Sequence, residues 1–231
     1  MDLFIFIFEL LGTISFAFSG AVQGIRKKMD LFGIIMLGII TATGGGIMRD
    51  AILGQIPPAA FHHPENFAVA AAVSLLCFLP TVRAQLDVSH KHFERLLLLA
   101  DAAGLGIFTV CGARTVIHAG YDSYRILVLF CAVLTGVGGG VLRDLLSGER
   151  PYIFVKHFYA CAAITGGLLC IFLWPVAGET VSLLAGCALI VVMRLCAARF
   201  RWTLPTHNGS GDRPLQDTGP CVSGVCEPPE P

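Results

Sequence analysis

Long apolar segments alternate with short polar connections along most of this chain. Each segment is near the length of about 20 residues that an α-helix needs to cross about 30 Å of hydrocarbon. Seven such segments lie at residues 3–24, 31–53, 67–82, 96–116, 126–146, 153–174 and 176–196. The pattern predicts an all-α, polytopic membrane protein with seven transmembrane helices.

The composition excludes several other classes of protein. Hydrophobic residues make up 55% of the chain and charged residues 14%, whereas soluble domains carry roughly 25% charged residues. Lysine plus arginine equals aspartate plus glutamate, at 16 each, so the chain lacks the basic field that binds nucleic acid. We therefore expect membrane lipid around the protein and no nucleic-acid partner.

Basic residues are concentrated in alternate connections, and lysine and arginine are retained on the cytoplasmic side. The 55–66 connection has neither residue. The basic residues in or beside the connections that follow the first, third, fifth and seventh segments are Arg26, Lys27, Lys28, Arg83, Lys91, Arg95, Arg150, Lys156, Arg194, Arg199, Arg201 and Arg213. This places the N-terminus outside and the C-terminus in the cytoplasm. Residues 201–231 are predicted to be a disordered cytoplasmic tail, since they contain little apolar material.

An internal repeat is the strongest signal in the sequence. Residues 42–50 and 136–144 both contain Gly-Gly-Gly-x-x-Arg-Asp. With a two-residue shift, the match also aligns Glu9 with Asp101. We interpret 3–90 as a first three-helix repeat, 91–174 as a second and 175–200 as a seventh helix that belongs to neither.

Three helices per repeat is an odd number, so the second repeat must enter the membrane in the direction opposite to the first. Repeats of opposite topology are typical of transporters, which place their substrate or ion site between the two halves.

The two glycine triplets lie within apolar segments, where each glycine costs a helix about 1 kcal/mol relative to alanine. One interpretation is that the triplets bend or break the helices and line a pathway with backbone carbonyls, which suit a cation. The other is that they allow two helices to pack closely. The candidate pathway residues are Gly44, Gly45, Gly46, Gly138, Gly139 and Gly140.

Charged residues follow each triplet, as the pairs Arg49-Asp50 and Arg143-Asp144. A charge at the centre of a transmembrane helix costs about 2.5–3.5 kcal/mol and therefore faces a partner or a wet cavity. These pairs either join the two halves by salt bridges or set the electrostatics of a permeation path.

Two further carboxylates, Glu9 and Asp101, lie one or two turns inside the first helix of their repeats. A buried carboxylate tends to be protonated or paired. We expect them to contact the buried guanidinium groups of Arg49 and Arg143.

Motifs of catalysis or cofactor binding are not recognisable. The glycine runs lack the Lys-Ser/Thr ending of a phosphate loop. His62, His63, His90 and His92 lie in connections without ligands at metal-binding spacing. We expect a protein that is not an enzyme and has no cofactor or metal.

The paired motifs, the stretches Phe-Ala-Phe-Ser-Gly-Ala at 16–21 and Phe-Thr-Val-Cys-Gly-Ala at 108–113, and the 3+3+1 arrangement resemble the prokaryotic trimeric intracellular cation channels. That group is also labelled a glycine-transporter domain family. The resemblance covers residues 3–199. It implies a homotrimer in which each subunit holds a potassium-permeable pore, lined by the second and fifth helices and bent at the triplets.

Three hypotheses follow. The first is a passive channel for potassium or other monovalent cations, in which carbonyl and polar oxygens replace the water around the ion. The second is a carrier of a small solute, such as glycine, in which the two halves rock around a central site. The third is a structural membrane subunit whose triplets serve packing alone.

Overall fold

The fold is a bundle of α-helices, seen here in a computed structural model that describes residues 3–79, 90–151 and 158–200, with only the backbone at 90–95. No β-strand occurs in these ranges. The helices are α1 (Leu3–Arg26), α2 (Leu31–Ile52), α3 (Ala59–His62), α4 (Pro64–Phe78), α5 (His90–Val116, continued by a π-helical turn at Ile117–Tyr121), α6 (Arg125–Leu146), α7 (Tyr159–Ala177) and α8 (Glu179–Phe200).

Six of these helices are long and apolar enough to cross a membrane, namely α1, α2, α5, α6, α7 and α8. The third predicted segment corresponds to α4, which is apolar but has only 15 residues. Its predicted end at 80–82 lies outside the described residues. The start of the sixth predicted segment, at 153–157, and the predicted tail at 201–231 also lie outside them.

Local sequence signals set several helix ends. The carboxylate of Asp30 accepts a hydrogen bond of 2.7 Å from the backbone N–H of Gly33 and caps α2. Pro64 begins α4, where its missing N–H costs nothing.

The predicted break between the last two segments at Pro175 is wrong. Pro175 lies inside the end of α7, and the chain turns at Gly178 instead. Gly178 has a φ of 78°, a left-handed conformation that glycine adopts without strain. The helix α8 therefore begins at Glu179 rather than at residue 176.

The two glycine triplets meet where α2 crosses α6, and their contacts are reciprocal. A Cβ atom built on Gly45 would lie 2.2 Å from the carbonyl oxygen of Thr135. One built on Gly139 would lie 2.1 Å from the carbonyl oxygen of Thr41. The second contact is the first with the two repeats exchanged, as a two-fold relation between the repeats requires.

The same exchange relates α1 to α5. A Cβ atom on Gly12 would contact Phe108, and one on Gly104 would contact Phe16. The rings of Phe16 and Phe108 pack against each other with centroids 5.2 Å apart. The interface between the halves thus consists of matched pairs from the two repeats.

The expectation that the triplets interrupt their helices is wrong. Both α2 and α6 continue through the triplets as single α-helices, so their carbonyls are not left at a helix end within the membrane. Close backbone contact at Gly45 and Gly139 offsets the intrinsic cost of glycine in a helix, because no larger residue fits there. The packing interpretation therefore accounts for these two positions.

Candidate functional site

A cavity of about 220 Å³ lies beside the α2–α6 crossing and is lined mostly by residues of the first repeat. This volume has room for several water molecules. Residues from α1 to α6 surround it: Glu9, Thr13, Ala42, Thr43, Gly46, Arg49, Asp50, Ala59, Ala60, His63, Asn66, Phe108, Cys111, Arg114, Thr115 and Thr135.

The ion pair of the first motif forms part of the cavity wall. The Nη2 atom of Arg49 lies 2.7 Å from Oδ1 of Asp50, and Nε of Arg49 donates to the same oxygen at 2.8 Å. The other oxygen, Oδ2 of Asp50, accepts a hydrogen bond of 2.8 Å from the backbone N–H of Ala59. Asp50 therefore holds both its neighbouring arginine and the start of α3.

The expected contact between Glu9 and Arg49 does not form. Arg49 pairs with Asp50 instead, and Glu9 has no hydrogen bond or ion pair among the residues that the structure describes. The side chain of Glu9 lines the cavity. Water in the cavity is the natural partner of this carboxylate, which removes the need for a guanidinium contact.

The second motif lies in a buried cluster, and there the expected contact is confirmed. Nη1 of Arg143 lies 2.9 Å from Oδ1 of Asp101. Nη2 of Arg143 lies 2.8 Å from Oδ1 of Asp144, and Nη1 also donates to the hydroxyl of Ser19. The guanidinium thus joins α1, α5 and α6 in the interior.

The helix outside the repeats completes this cluster. Nη2 of Arg194 on α8 lies 3.4 Å from Oδ2 of Asp101, and its guanidinium lies 4.6 Å from the centre of the Tyr159 ring. Asp101 therefore faces two arginines, whereas its counterpart Glu9 faces the cavity.

Each basic residue on the cavity wall has an acidic partner. Arg49 has Asp50, as described. Nε of Arg114 donates to Oε1 of Glu179 on α8. The imidazole of His63 contacts Glu65 through Nδ1 and Oε1 at 2.9 Å. The two guanidinium charges are therefore compensated locally, and Oε2 of Glu179 also lies 2.9 Å from Nε2 of His118.

Hydroxyl groups contribute a second kind of polar lining. Thr43 donates its hydroxyl proton to the carbonyl of Ile39 at 2.9 Å, and Thr135 donates to that of Cys131 at 2.6 Å. Thr115 makes the same bond to Cys111 at 3.0 Å. Since each proton is engaged within its own helix, the remaining lone pairs act as acceptors.

The structure divides the predicted site residues into three groups. Glu9, Gly46, Arg49 and Asp50 line the cavity. Four glycines lie in the helix crossing: Gly44, Gly45, Gly138 and Gly139. The buried cluster contains Asp101, Arg143 and Asp144. Gly140 lies beside this cluster, because a Cβ atom built on it would lie 3.0 Å from the Tyr159 hydroxyl.

Sequence reasoning missed several cavity residues. Thr43, Thr135, Cys111 and Arg114 all stand within predicted apolar segments. A usable signal existed for the threonines, because both lie within four residues of a triplet glycine and polar residues inside apolar spans face the protein interior.

Comparison with known proteins supports the membrane setting. A model of the glycine transporter family matches residues 6–81 and again residues 98–175. A UPF0126 membrane protein of Deinococcus radiodurans is 37% identical over 200 residues, covering 84% of this chain and 87% of the relative. The UPF0126 inner membrane protein YadS of Escherichia coli K12 is 32% identical over 201 residues, covering 86% of this chain and 93% of YadS.

Solved structures show the same fold. A structure described as revealing the basis for conductance through TRIC cation channels superposes with a TM-score of 0.79 at 33% identity, covering 92% of this chain and all of that one. The TRIC trimeric intracellular cation channel orthologue from Rhodobacter sphaeroides superposes with a TM-score of 0.78 at 29% identity, covering 87% of this chain and all of that one.

The long apolar helices, the duplicated motif and the buried charges define a polytopic helical membrane protein built from two related halves. The similar structures are channels rather than enzymes. The chain belongs to the glycine transporter family, and the resemblance to the prokaryotic trimeric intracellular cation channels is confirmed.

Proposed function

We propose that this protein is a homotrimeric cation channel of the cell inner membrane, permeable to potassium or other monovalent cations. Each subunit contains its own pathway, lined by the faces of α2 and α6 beside the glycine triplets. The cavity at the α2–α6 crossing is the observation that carries this proposal, because it brings carboxylate and hydroxyl side chains together next to the interface of the two halves.

In the proposed arrangement, α4 serves as the third membrane helix and gives two repeats, at 3–90 and 91–174, with opposite orientations. The N-terminus lies outside and the C-terminus in the cytoplasm, since the basic connections alternate as described. Arg49 and Asp50 then face the outer side, and Arg143 and Asp144 the inner side. Lipid contacts the exposed apolar residues of the outer helix faces.

The crossing of α2 and α6 closes the proposed pathway in this conformation. Gly45 and Gly139 bring the two backbones into contact between the cavity and the Arg143 cluster. Conduction therefore requires these helices to separate or to bend at the triplets.

A glycine carrier is the second candidate, and the same cavity favours it. A guanidinium and a carboxylate, Arg49 and Glu9, line a space of about 220 Å³, which matches the opposite charges of a small amino acid. Carriers and channels differ in saturation and exchange, so flux measurements separate them.

Purified protein in liposomes tests both candidates. We expect an imposed potassium gradient to generate a diffusion potential that depends on the protein, with no exchange of labelled glycine. Saturable glycine counterflow without conductance would instead establish the carrier and exclude the channel.

A substitution at Gly46 tests the location of the pathway. A Cβ atom on Gly46 would meet only Nη2 of Arg49, at 3.8 Å, and Gly46 lines the cavity. We expect Gly46→Val to fill part of the cavity and reduce potassium flux at least about tenfold without disturbing assembly.

Ala51→Val is the matched control, since Ala51 lies on the same helix but is exposed and outside the cavity lining. Its flux should equal that of the unsubstituted protein. Undiminished potassium flux in correctly assembled Gly46→Val protein would show that the cavity is not part of the permeation pathway.

A further inference from the structure

The two repeats treat their equivalent carboxylates differently. Asp101 is buried and contacts both Arg143 and Arg194. Glu9 contacts neither an arginine nor another hydrogen-bonding group in the described part of the chain. The difference has two visible causes. Both arginines contact their neighbouring aspartate through Nε and Nη2, but only Arg143 also reaches the carboxylate of its repeat, through Nη1, and α8 supplies Arg194 only to the second repeat.

The charge on the cavity wall can be counted from its ion pairs. Arg49 with Asp50 and Arg114 with Glu179 each sum to zero. His63 with Glu65 sums to zero when the histidine is protonated and to minus one when it is neutral. Glu65 and Glu179 lie outside the lining, so Glu9 is the lining carboxylate that no ion pair of the described residues balances, and its ionised form adds one negative charge to these pairs.

Neutral oxygen ligands lie around the same space. Thr13 is one helical turn beyond Glu9 on the same face of α1 and also lines the cavity. The hydroxyl oxygens of Thr43 and Thr135 have already donated their protons to backbone carbonyls. Oxygen ligands with available lone pairs and one carboxylate are the coordination that hard cations prefer.

We infer that Glu9 is the specificity-determining residue of this protein and that it forms, with the cavity threonines, a binding site for a small monovalent cation. The inference rests on the proposed channel function for its role in permeation. The binding site itself does not depend on conduction. A single unpaired carboxylate in a confined space attracts cations and repels anions, and it does so more strongly than in bulk water.

Glu9→Gln tests the assignment, because it removes the charge and keeps the shape. In liposomes with a potassium chloride gradient across the membrane, we expect the potassium-to-chloride permeability ratio to fall about tenfold in this variant. Glu149→Gln is the matched control, since Glu149 lies in the connection after α6 and outside the cavity. An unchanged ratio in the Glu9 variant, with normal conduction by the original protein, would overturn the inference and leave the channel proposal intact.

Thermal unfolding in detergent provides a test that needs no conduction. At equal concentration, potassium chloride should raise the melting temperature of the original protein by about 2–4 °C above that in N-methylglucamine chloride. That difference should disappear in Glu9→Gln. Equal melting temperatures in the two salts for the original protein would exclude the site, whether or not the protein conducts.

Thr43→Val provides a second variant that retains the charge of Glu9. It replaces one cavity oxygen by a methyl group, and we expect it to weaken the potassium-dependent stabilisation. Thr165→Val is its control, because the exposed Thr165 makes the same type of hydroxyl bond, to the carbonyl of Cys161, outside the cavity. Equal potassium-dependent stabilisation in the two variants would exclude Thr43 as a ligand.

Discussion

Within each glycine triplet, neighbouring residues have different roles. Gly45 lies against the carbonyl of Thr135, so even one methyl group would force the helices apart. Gly46 points into open space beside Arg49. The same three-residue run thus provides both a contact between backbones and an unobstructed part of the cavity wall.

We expect Gly45→Ala and Gly46→Ala to change stability in opposite directions. Overpacking at Gly45 should cost about 1–3 kcal/mol. Alanine at Gly46 meets no clash and should stabilise α2 by up to about 1 kcal/mol through its helix propensity. Thermal melting of the two variants in the same detergent measures this, and a Gly45→Ala variant as stable as Gly46→Ala would contradict the assigned helix contact.

At the scale of helices, the equivalent arginines of the two repeats have different surroundings. Arg143 joins α1, α5 and α6 through Ser19, Asp101 and Asp144 in a buried cluster. Arg49 pairs with its neighbour Asp50 beside the cavity. Both pairs are buried, but Arg143 neutralises two carboxylates and Arg49 only one, and a buried charge that loses its partner is costly.

Arg143→Met should therefore destabilise the protein by about 3–5 kcal/mol, because Asp101 and Asp144 lose their shared guanidinium in the interior. Arg49→Met is the matched substitution in the first repeat. It should cost less, because Asp50 keeps its bond to the Ala59 N–H and lines the cavity. Unfolding midpoints compare the two variants, and an equal loss would show that the repeats are energetically alike.

Helix α8 makes the two repeats unequal, because residues near both ends of α8 form ion pairs with α5. Glu179 at the start of α8 binds Arg114, and Arg194 near its end contacts Asp101. The first contact compensates the positive charge of Arg114 beside the cavity. The second adds a guanidinium group to the charged cluster of the second repeat. One added helix thus makes two similar halves chemically unequal.

The two repeats are also tied at the ends of α1 and α6. Nζ of Lys27 lies 2.9 Å from Oε1 of Glu149, and both side chains are partly exposed. The hydrogen bond from Lys27 lowers the pKa of Glu149 below its usual value. A lowered pKa adds stability above the usual pKa, and this stability is lost as the pH falls through the lowered value.

Lys27→Gln should raise the pKa of Glu149 towards its usual value. Carbon-13 NMR of labelled Glu149 in detergent micelles measures the pKa directly. The stability lost near neutral pH should be at most about 1 kcal/mol, because water screens an exposed pair. An unchanged pKa in the variant would show that the Lys27 contact is absent in solution.

Much of the architecture was predictable because it depends on local patterns. The apolar lengths predicted the long helices, and the repeated motif placed Arg143 near Asp101 through the alignment of Glu9 with Asp101. The turn at Gly178 was missed because Pro175, the stronger sequence signal for a helix end, is tolerated inside the last turns of α7. The cavity threonines were missed because an isolated hydroxyl in an apolar segment does not indicate which neighbour it faces.

The amino-acid sequence by itself determined the membrane setting, the duplication and the identity of the buried charges, since these follow from hydrophobic length and repeated residues. Only the tertiary structure decided which charges meet. Asp101 is paired because Arg143 of α6 and Arg194 of α8 both reach it, whereas Glu9 lines a cavity because neither Arg49 nor another guanidinium of the described residues comes within ion-pair distance of it. Pairing depends on distances between helices far apart in the chain, and a one-dimensional pattern contains no such distances.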